Sequence, residues 1–548
     1  MNPRTDARSA CAAGRWSLLA ATLGACDSAQ PPQDDSSVDA PTAPTCDAES
    51  QAPLRQPGGR SNCTPVGAHL DPPPVTCDWP DAAPERAPVV YVDLGTGAGT
   101  GSRDAPFHSL ADALAATPPP ATILVRCGTY ALAASASLSA AITIRGVSPT
   151  ATIFTPPRGA PAFEVGATDG APVAVTLARF GVRGDAAGDG GTDARVPGIR
   201  VGPGATLTLD DVAIENTGYG VRVEQATLCA QGLSVRRART AGLSFVQSKA
   251  LVRDFLIRDG ANLGVLADES LIALRQGLVA NNARDGVALR GTQSSIERCA
   301  PPDADAGTPG TACPQVAVCP GFMADPQCVP NLPVPPGPGE PGIAPVGLCR
   351  GVSTLEDVAI VGNHVTGLRA ERMPPLPTAT VHERNLALSQ PGSIVQGARL
   401  VLGDTRAVTG ESGGDGLYVG PSARVTLDPN IASEDAGVPG SFLVGNTRTG
   451  ALVDGDRSTG ASDGGIPNAL QTHGTLRMAG ALVSANRGPG LYVQERSVAE
   501  RVAFVDFVGN AALGLGVTSG GSAPLIQCGH FIGTRTSTLM TETLGPIT

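Results

Sequence analysis

The chain has 548 residues, of which 69 are glycine and 49 proline, and only 3% are aromatic. That length exceeds one ordinary globular core, so it calls for several domains or one elongated repeat, with Val, Leu, Ile and Ala filling the interior. A net charge of −11 excludes a nucleic-acid partner, because phosphate binding needs clustered positive charge.

At the N-terminus Arg4, Arg8 and Arg15 precede the short apolar run "WSLLAATLGA". The run is too short to span a bilayer and its flanks are those of an export signal, which predicts a signal peptide over 1–25. The string "LGAC" (Leu23, Gly24, Ala25, Cys26) resembles the lipobox of bacterial lipoproteins. That resemblance implies a lipidated Cys26 and a membrane partner, with the body held in the cell envelope, periplasmic or surface-exposed. Residues 26–87 are rich in Pro, Asp, Ser and Ala and read as a disordered tether, with Cys46, Cys63 and Cys77 forming a small bridged knot near its end.

From "APVVYVDLGTG" the pattern turns to strand and predicts a body over 88–548. In "FHSLADALAA" the apolar Leu110, Ala113 and Leu114 share one helical face, and Ser109 with Asp112 makes a capping box. Tyr91, Asp93, Gly101, Ser102, Pro106, Phe107, Ala113, Leu114, Gly128, Thr129 and Tyr130 stand in an order that resembles the opening segment of bacterial right-handed parallel β-helix proteins, within the pectate-lyase-like superfamily. Cys127 departs from that pattern, where a proline or small residue is expected. The resemblance implies an all-β solenoid closed at one end by a short helix and a strand, since an uncapped terminal coil would expose its apolar section.

The repeat supports the same fold independently. Gly198, Gly220, Gly242, Gly264 and Gly286 are 22 residues apart, each followed by an apolar–any–apolar triplet. One apolar column is Ile199, Val221, Leu243, Val265, Val287; the other is Val201, Val223, Phe245, Ala267, Leu289. A fixed period marks a solenoid and the period-2 alternation makes its unit a strand. The signature returns at 362–370, 413–419, 445–453, 485–493 and 509–517, for ten recognisable coils. Asn216, Asn282, Asn363, Asn446, Asn486 and Asn510 each precede the glycine by four residues. Asparagine tolerates left-handed backbone, so this column is expected at a turn, where stacked amides can also bond along the stack.

Insertions break the beat, the longest being Cys/Pro-rich at about 299–349, with others at 371–395, 429–440 and 455–468. Any ligand site is expected beside them. Export permits disulfides, and Cys299, Cys313, Cys319, Cys328 and Cys349 are the candidates for stapling the long insertion. Their spacing lacks the close pairs of a zinc site.

Catalytic motifs are missing from the sequence. Asp210 and Asp211 are an adjacent acidic pair of the kind hydrolysis would invite, yet neighbours on a strand point to opposite faces. Glu215, Arg237, Asp259 and Asn281 share a column by their spacing of 22 and read as surface charge pairing. Asp185, Asp189 and Asp193 lie among glycines, but a calcium loop spaces its oxygens two apart. Calcium is therefore the one cofactor weighed, and none is assigned; no metal or catalytic residue is named. Two functional classes remain: a monomeric, non-catalytic module binding a polysaccharide or envelope component, and a polysaccharide lyase, uronan epimerase or hydrolase on the same scaffold. The first is preferred.

Overall fold

The computed structural model describes residues 88–533 apart from 96–98, 168–170, 186–194, 292–293, 300–314, 325–326, 331–346, 373–392, 407–412, 429–439, 456–472, 495–496, 519–520, 524–525 and 528–529, together with 51–55, 61–67, 76–80 and 540–541. The signal peptide, Cys26, Cys46, Cys313, Asp189 and Asp193 lie outside these residues.

The apolar triplet after each glycine forms a short strand. These strands stack in parallel with further short strands at either end, thirteen in all from Ala136–Leu138 to Met540–Thr541 among the described residues. Their register aligns Ile199, Val221, Leu243, Val265 and Val287, and likewise Val201, Val223, Phe245, Ala267 and Leu289. All ten are at most 2% exposed, so each aliphatic is packed by its counterparts above and below. Between short strands the chain runs a long one, such as Ala205–Glu215, Thr227–Arg236 and Lys249–Arg258, and these form a second parallel stack. The architecture is a parallel β-helix, as the resemblance of the opening segment implies.

Each coil turns its corners on single left-handed residues. Arg179, Asp211, Asp254, Gln276, Asp357, Arg399 and Phe504 bend the long strand with φ between +48° and +56°. A second column, Asn216, Arg237, Asp259, Asn281, Asp404 and Ala485, leads from long strand to short, and Gln225, Gln247 and Glu269 lead back.

This corrects two columns read from the sequence. Of the six asparagines only Asn216 is left-handed; at the coil of Asn282 that conformation belongs to Asn281. Asn282, Asn363, Asn446, Asn486 and Asn510 come one position later and are fully buried. Their amides bond along the stack: Asn446 Nδ2 donates to Asn486 Oδ1 at 2.8 Å, and Asn486 Nδ2 to Asn510 Oδ1 at 2.8 Å. Glu215 aligns with Arg183 and Arg236, not Arg237, because the long strand ending at Glu215 is followed by a turn one residue shorter than that after Arg236. Arg237 still reaches Glu215, Nη2 to Oε2 at 3.5 Å.

The glycine column has a steric cause. A Cβ on Gly450 would stand 2.5 Å from the Gly490 carbonyl oxygen and 2.9 Å from Asn486 Nδ2. Gly264, Gly286, Gly416 and Gly490 meet the next coil's glycine carbonyl and asparagine amide in the same way. The four-residue spacing of Asn and Gly is thus a packing unit: the amide of one coil fills the space left by the missing Cβ of the coil before.

The cap forms as expected. Leu110–Leu114 is helical, Ser109 Oγ accepts from the Asp112 N–H, and Leu110 and Ala113 are buried. The tether is not wholly free, contrary to expectation. Gln51–Arg55 and Ser61–Pro65 pair antiparallel, Val66 packs with Leu256, Leu278, Ala359 and Val401 on the outside of the long strands, and Cys77 is bridged to Cys127 in the body. Cys319 is bridged to Cys229 rather than within the insertion, because the hairpin of Val316–Cys319 and Phe322–Ala324 lies on the outer side of the long strands over Leu251, Leu271 and Ala273. Cys328 and Cys349 are register partners across antiparallel strands, and Cys299 sits opposite Gly347.

Candidate functional site

In each short strand the residue between the two inward positions faces outward. Along the stack this outward column carries Arg200, Arg222, Arg369, Tyr418 and Tyr492 in register, with Leu452 between the tyrosines. The chain has five tyrosines, and Tyr219, Tyr418 and Tyr492 all lie on this one side. Such a concentration in an aromatic-poor chain singles the face out.

Around Arg369 the polar groups converge. Its guanidinium lies over the Tyr418 ring, 4.7 Å from the centroid. Its Nε donates to Asp285 Oδ2 at 3.1 Å, its Nη2 to Thr366 Oγ1 at 3.3 Å, and its Nη1 is 3.6 Å from Glu371. Asp285, Thr366 and Asp415 stand on successive coils at the leading edge of the sheet. Asp415 accepts from the Thr449 N–H at 3.1 Å and pairs with Arg448 at 3.5 Å. At the trailing edge the Tyr418 hydroxyl donates to Asp454 Oδ2 at 3.4 Å, and Thr518 Oγ1 donates to the Tyr492 hydroxyl at 3.2 Å.

Burial sets the electrostatics. It pushes the Glu371 carboxyl above the ordinary range against the pull of Arg369, and does the same to Asp415 against Arg448. The Tyr418 hydroxyl is raised by burial and then by the charge of Asp454. For Arg369 burial acts to lower the value, but Asp285 and Glu371 outweigh it and hold the group above its usual range. Among the described residues, Asp285 Oδ1 and Gln494 Nε2 are buried polar atoms on this face with no hydrogen-bond partner. A buried atom of that kind is costly unless something else bonds it, and a ligand hydroxyl is of the right chemistry.

The chain leaves the trailing edge after Arg372 and re-enters at Ser393, and leaves again after Gly455 to return at His473. The insertions at 371–395 and 455–468 therefore begin beside this face. The remaining sequence candidates lie elsewhere. Asp210 is exposed on the long strands, and left-handed Asp211 ends the strand alternation that was expected to send the two to opposite faces. Asp185 is the one described aspartate of its loop. Among the described residues no group of three or more His, Cys, Asp or Glu side chains is placed to hold a metal ion. The face itself was missed, although "GLYV" occurs twice, at 416–419 and 490–493, each time putting a tyrosine between two inward positions.

No protein-family model matches the chain, and no curated protein matches it. Among solved structures it is similar to the A-module of the Azotobacter vinelandii mannuronan C-5 epimerase AlgE4, at 11% identity over 80% of this chain and 92% of that one, with a TM-score of 0.45. It is also similar to the pectate lyase Pel9A, at 13% identity over 79% and 78% with a TM-score of 0.32. A third is the catalytic domain of a GH87 α-1,3-glucanase in complex with nigerose, at 10% over 85% and 70% with a TM-score of 0.31. At these values the fold rests on the strand pairing above, and the reaction is left open.

Proposed function

We propose that this is an exported β-helix protein, lipid-anchored at Cys26 in the cell envelope, whose outward short-strand face binds a neutral polysaccharide without cleaving it. The observation that carries the reading is the outward run of Arg369, Tyr418 and Tyr492. Tyrosine rings offer stacking faces for sugar rings, and paired carboxylates and guanidinium groups offer fixed partners for hydroxyls. Asp285, Glu371, Asp415 and Asp454 outnumber Arg369 and Arg448 here, which disfavours a polyanion. Each of these acids already has a partner, which suits holding a ligand better than exchanging protons with it.

A second reading, a polysaccharide-active enzyme, has one observation in its favour: the buried Asp415 and the half-buried Glu371 are carboxyls with raised proton affinity, as a general acid requires. One experiment separates the two. The purified body is incubated with neutral glucans and mannans and with acidic uronans, following retention, reducing ends and the ultraviolet absorbance of unsaturated products. The expected result is retention on a neutral polymer with no product, lost on Tyr418→Ala. Product from any polymer overturns the non-catalytic reading, and retention on uronans alone overturns the neutral ligand. A Cys26→Ser chain that stays membrane-bound overturns the anchor.

A further inference from the structure

The Arg369 cluster has a counterpart on the same face. Gly220-Val221-Arg222-Val223-Glu224 repeats the pattern of Gly367-Leu368-Arg369-Ala370-Glu371, glycine, outward arginine and trailing-edge glutamate at the same positions. The contacts repeat as well. Arg222 Nη2 pairs with Glu224 Oε1 at 2.6 Å, as Arg369 pairs with Glu371. Arg222 lies over the Tyr219 ring at 5.2 Å from the centroid, as Arg369 lies over Tyr418. Arg200 adds a second cation, reaching Glu224 Oε2 at 3.2 Å.

The register fixes their separation. Arg222 aligns with Ser244, Leu266, Ala288 and then Arg369, four steps at the inter-strand spacing, or about 19 Å. Among the described residues the floor between them stays low: Leu266, the one large side chain of the column, is half-buried between its coil neighbours. Ser244 and Ala288 are small and buried, and at the trailing edge Asp268 and Arg290 close on each other, Nε to Oδ1 at 2.6 Å and Nη2 to Oδ2 at 2.7 Å. Two like clusters thus face one way across a low floor, in line with the solenoid axis.

We propose that Tyr219, Arg222 and Glu224 form a second saccharide subsite, and that one polysaccharide chain running along the solenoid axis occupies both. This rests on the reading of the Arg369–Tyr418 face as a polysaccharide site and extends it to ligand length and direction. A ligand that spans both clusters binds the second from an effective concentration set by the first, so its affinity exceeds that of a fragment too short to reach across.

The test is calorimetric titration of the purified body with a neutral glucan series, from the disaccharide to the polymer. Short members are expected to bind at two per chain and weakly, and members long enough to span the gap at one per chain and at least about tenfold more tightly. Tyr219→Ala is expected to reduce short ligands to one per chain and to bring the long-chain affinity down to the short-ligand value. Arg222→Gln, which keeps the stem and loses the charge, is expected to do the same with an unchanged thermal midpoint, separating lost contact from lost fold. Short ligands binding wild type at one per chain, or long-chain affinity indifferent to both variants, overturns the second subsite. If Tyr418→Ala abolishes binding while Tyr219→Ala changes nothing, the first site stands and the second falls. Failure of every saccharide to bind overturns both.

Discussion

Arg399 and Asp357 occupy the same corner of adjacent coils, both left-handed at φ +52° and +54°, and they clasp each other through Nε to Oδ1 at 2.5 Å and Nη2 to Oδ2 at 2.6 Å. Glu356 takes a second hydrogen bond from Nη2 at 2.8 Å. A left-handed L-residue costs roughly 1–2 kcal/mol, so the corner is held by a bidentate, charge-assisted pair that is mostly buried. The same pair, with the hydrogen bonds that both carboxylates accept from it, holds the Arg399 guanidinium above its ordinary value.

Arg399→Ala is therefore expected to destabilise the chain by about 2–3 kcal/mol, because Asp357 keeps its charge and loses its clasp, while Glu356 is left with Arg275 alone at 3.3 Å. Arg399→Gly should cost about 1 kcal/mol less, since glycine adopts the left-handed backbone freely. Urea denaturation of the two variants reads the difference, and equal losses would refute the conformational part.

Gly450, Ala485 and Asn486 test the packing unit with opposite signs. Gly450→Ala drives a Cβ into the Gly490 carbonyl and the Asn486 amide and is expected to cost about 2–3 kcal/mol. Asn486→Ala leaves the buried Asn446 N–H without its acceptor and Nδ2 with the Leu402 carbonyl alone, for about 2–3 kcal/mol. Ala485→Gly relieves a left-handed alanine and is expected to stabilise by up to about 1 kcal/mol. Thermal midpoints order the three, and a destabilising Ala485→Gly would contradict the corner assignment.

Asp415 and Glu371 give a pH signature. Their folded proton affinities are raised by burial, so the folded state holds more protons than the unfolded one above the ordinary carboxylate pKa, about 4. Stability then falls as pH rises from that value through the raised one, the reverse of a salt-bridged acid. Asp415→Asn is expected to flatten that fall, measured as urea midpoints between about pH 4 and 7. An unchanged slope would show that Asp415 is not buried in solution.

The Cys229–Cys319 bridge spans 90 residues. Replacing both with serine is expected to cost about 3 kcal/mol and to bare the apolar patch of Leu251, Leu271 and Ala273 beneath the hairpin. Stability measurements and the fluorescence of a hydrophobic dye read the two effects separately. Dye binding equal to wild type would mean the hairpin stays seated without its staple.

The sequence legibly encoded what stacks. A side chain in a parallel stack meets its own equivalent one coil away, so the 22-residue beat of Gly198 to Gly286 and the aliphatic columns of Ile199 and Val201 specify their own neighbours. Cap chemistry at Ser109 and Asp112 is local and was equally readable. What does not stack was hidden. A turn one residue shorter moves Glu215 off the column its spacing suggests and separates Asn216 from the other asparagines, because register is set by hydrogen-bonded strands and not by counting.

Contacts across the outside of the solenoid needed the tertiary structure altogether. Cys229 finds Cys319, Cys77 finds Cys127, and Val66 settles on Leu256, none of which follows from a repeat. The tyrosine face belongs to both domains of knowledge: "GLYV" placed Tyr418 and Tyr492 outward, while the coil-to-coil register alone brought Arg369 over Tyr418 and set Arg222 on the same face. The sequence by itself determined the parallel solenoid, through periodic burial; the tertiary structure decided where its polar groups converge, because convergence depends on how insertions of unequal length leave the stacked coils in register.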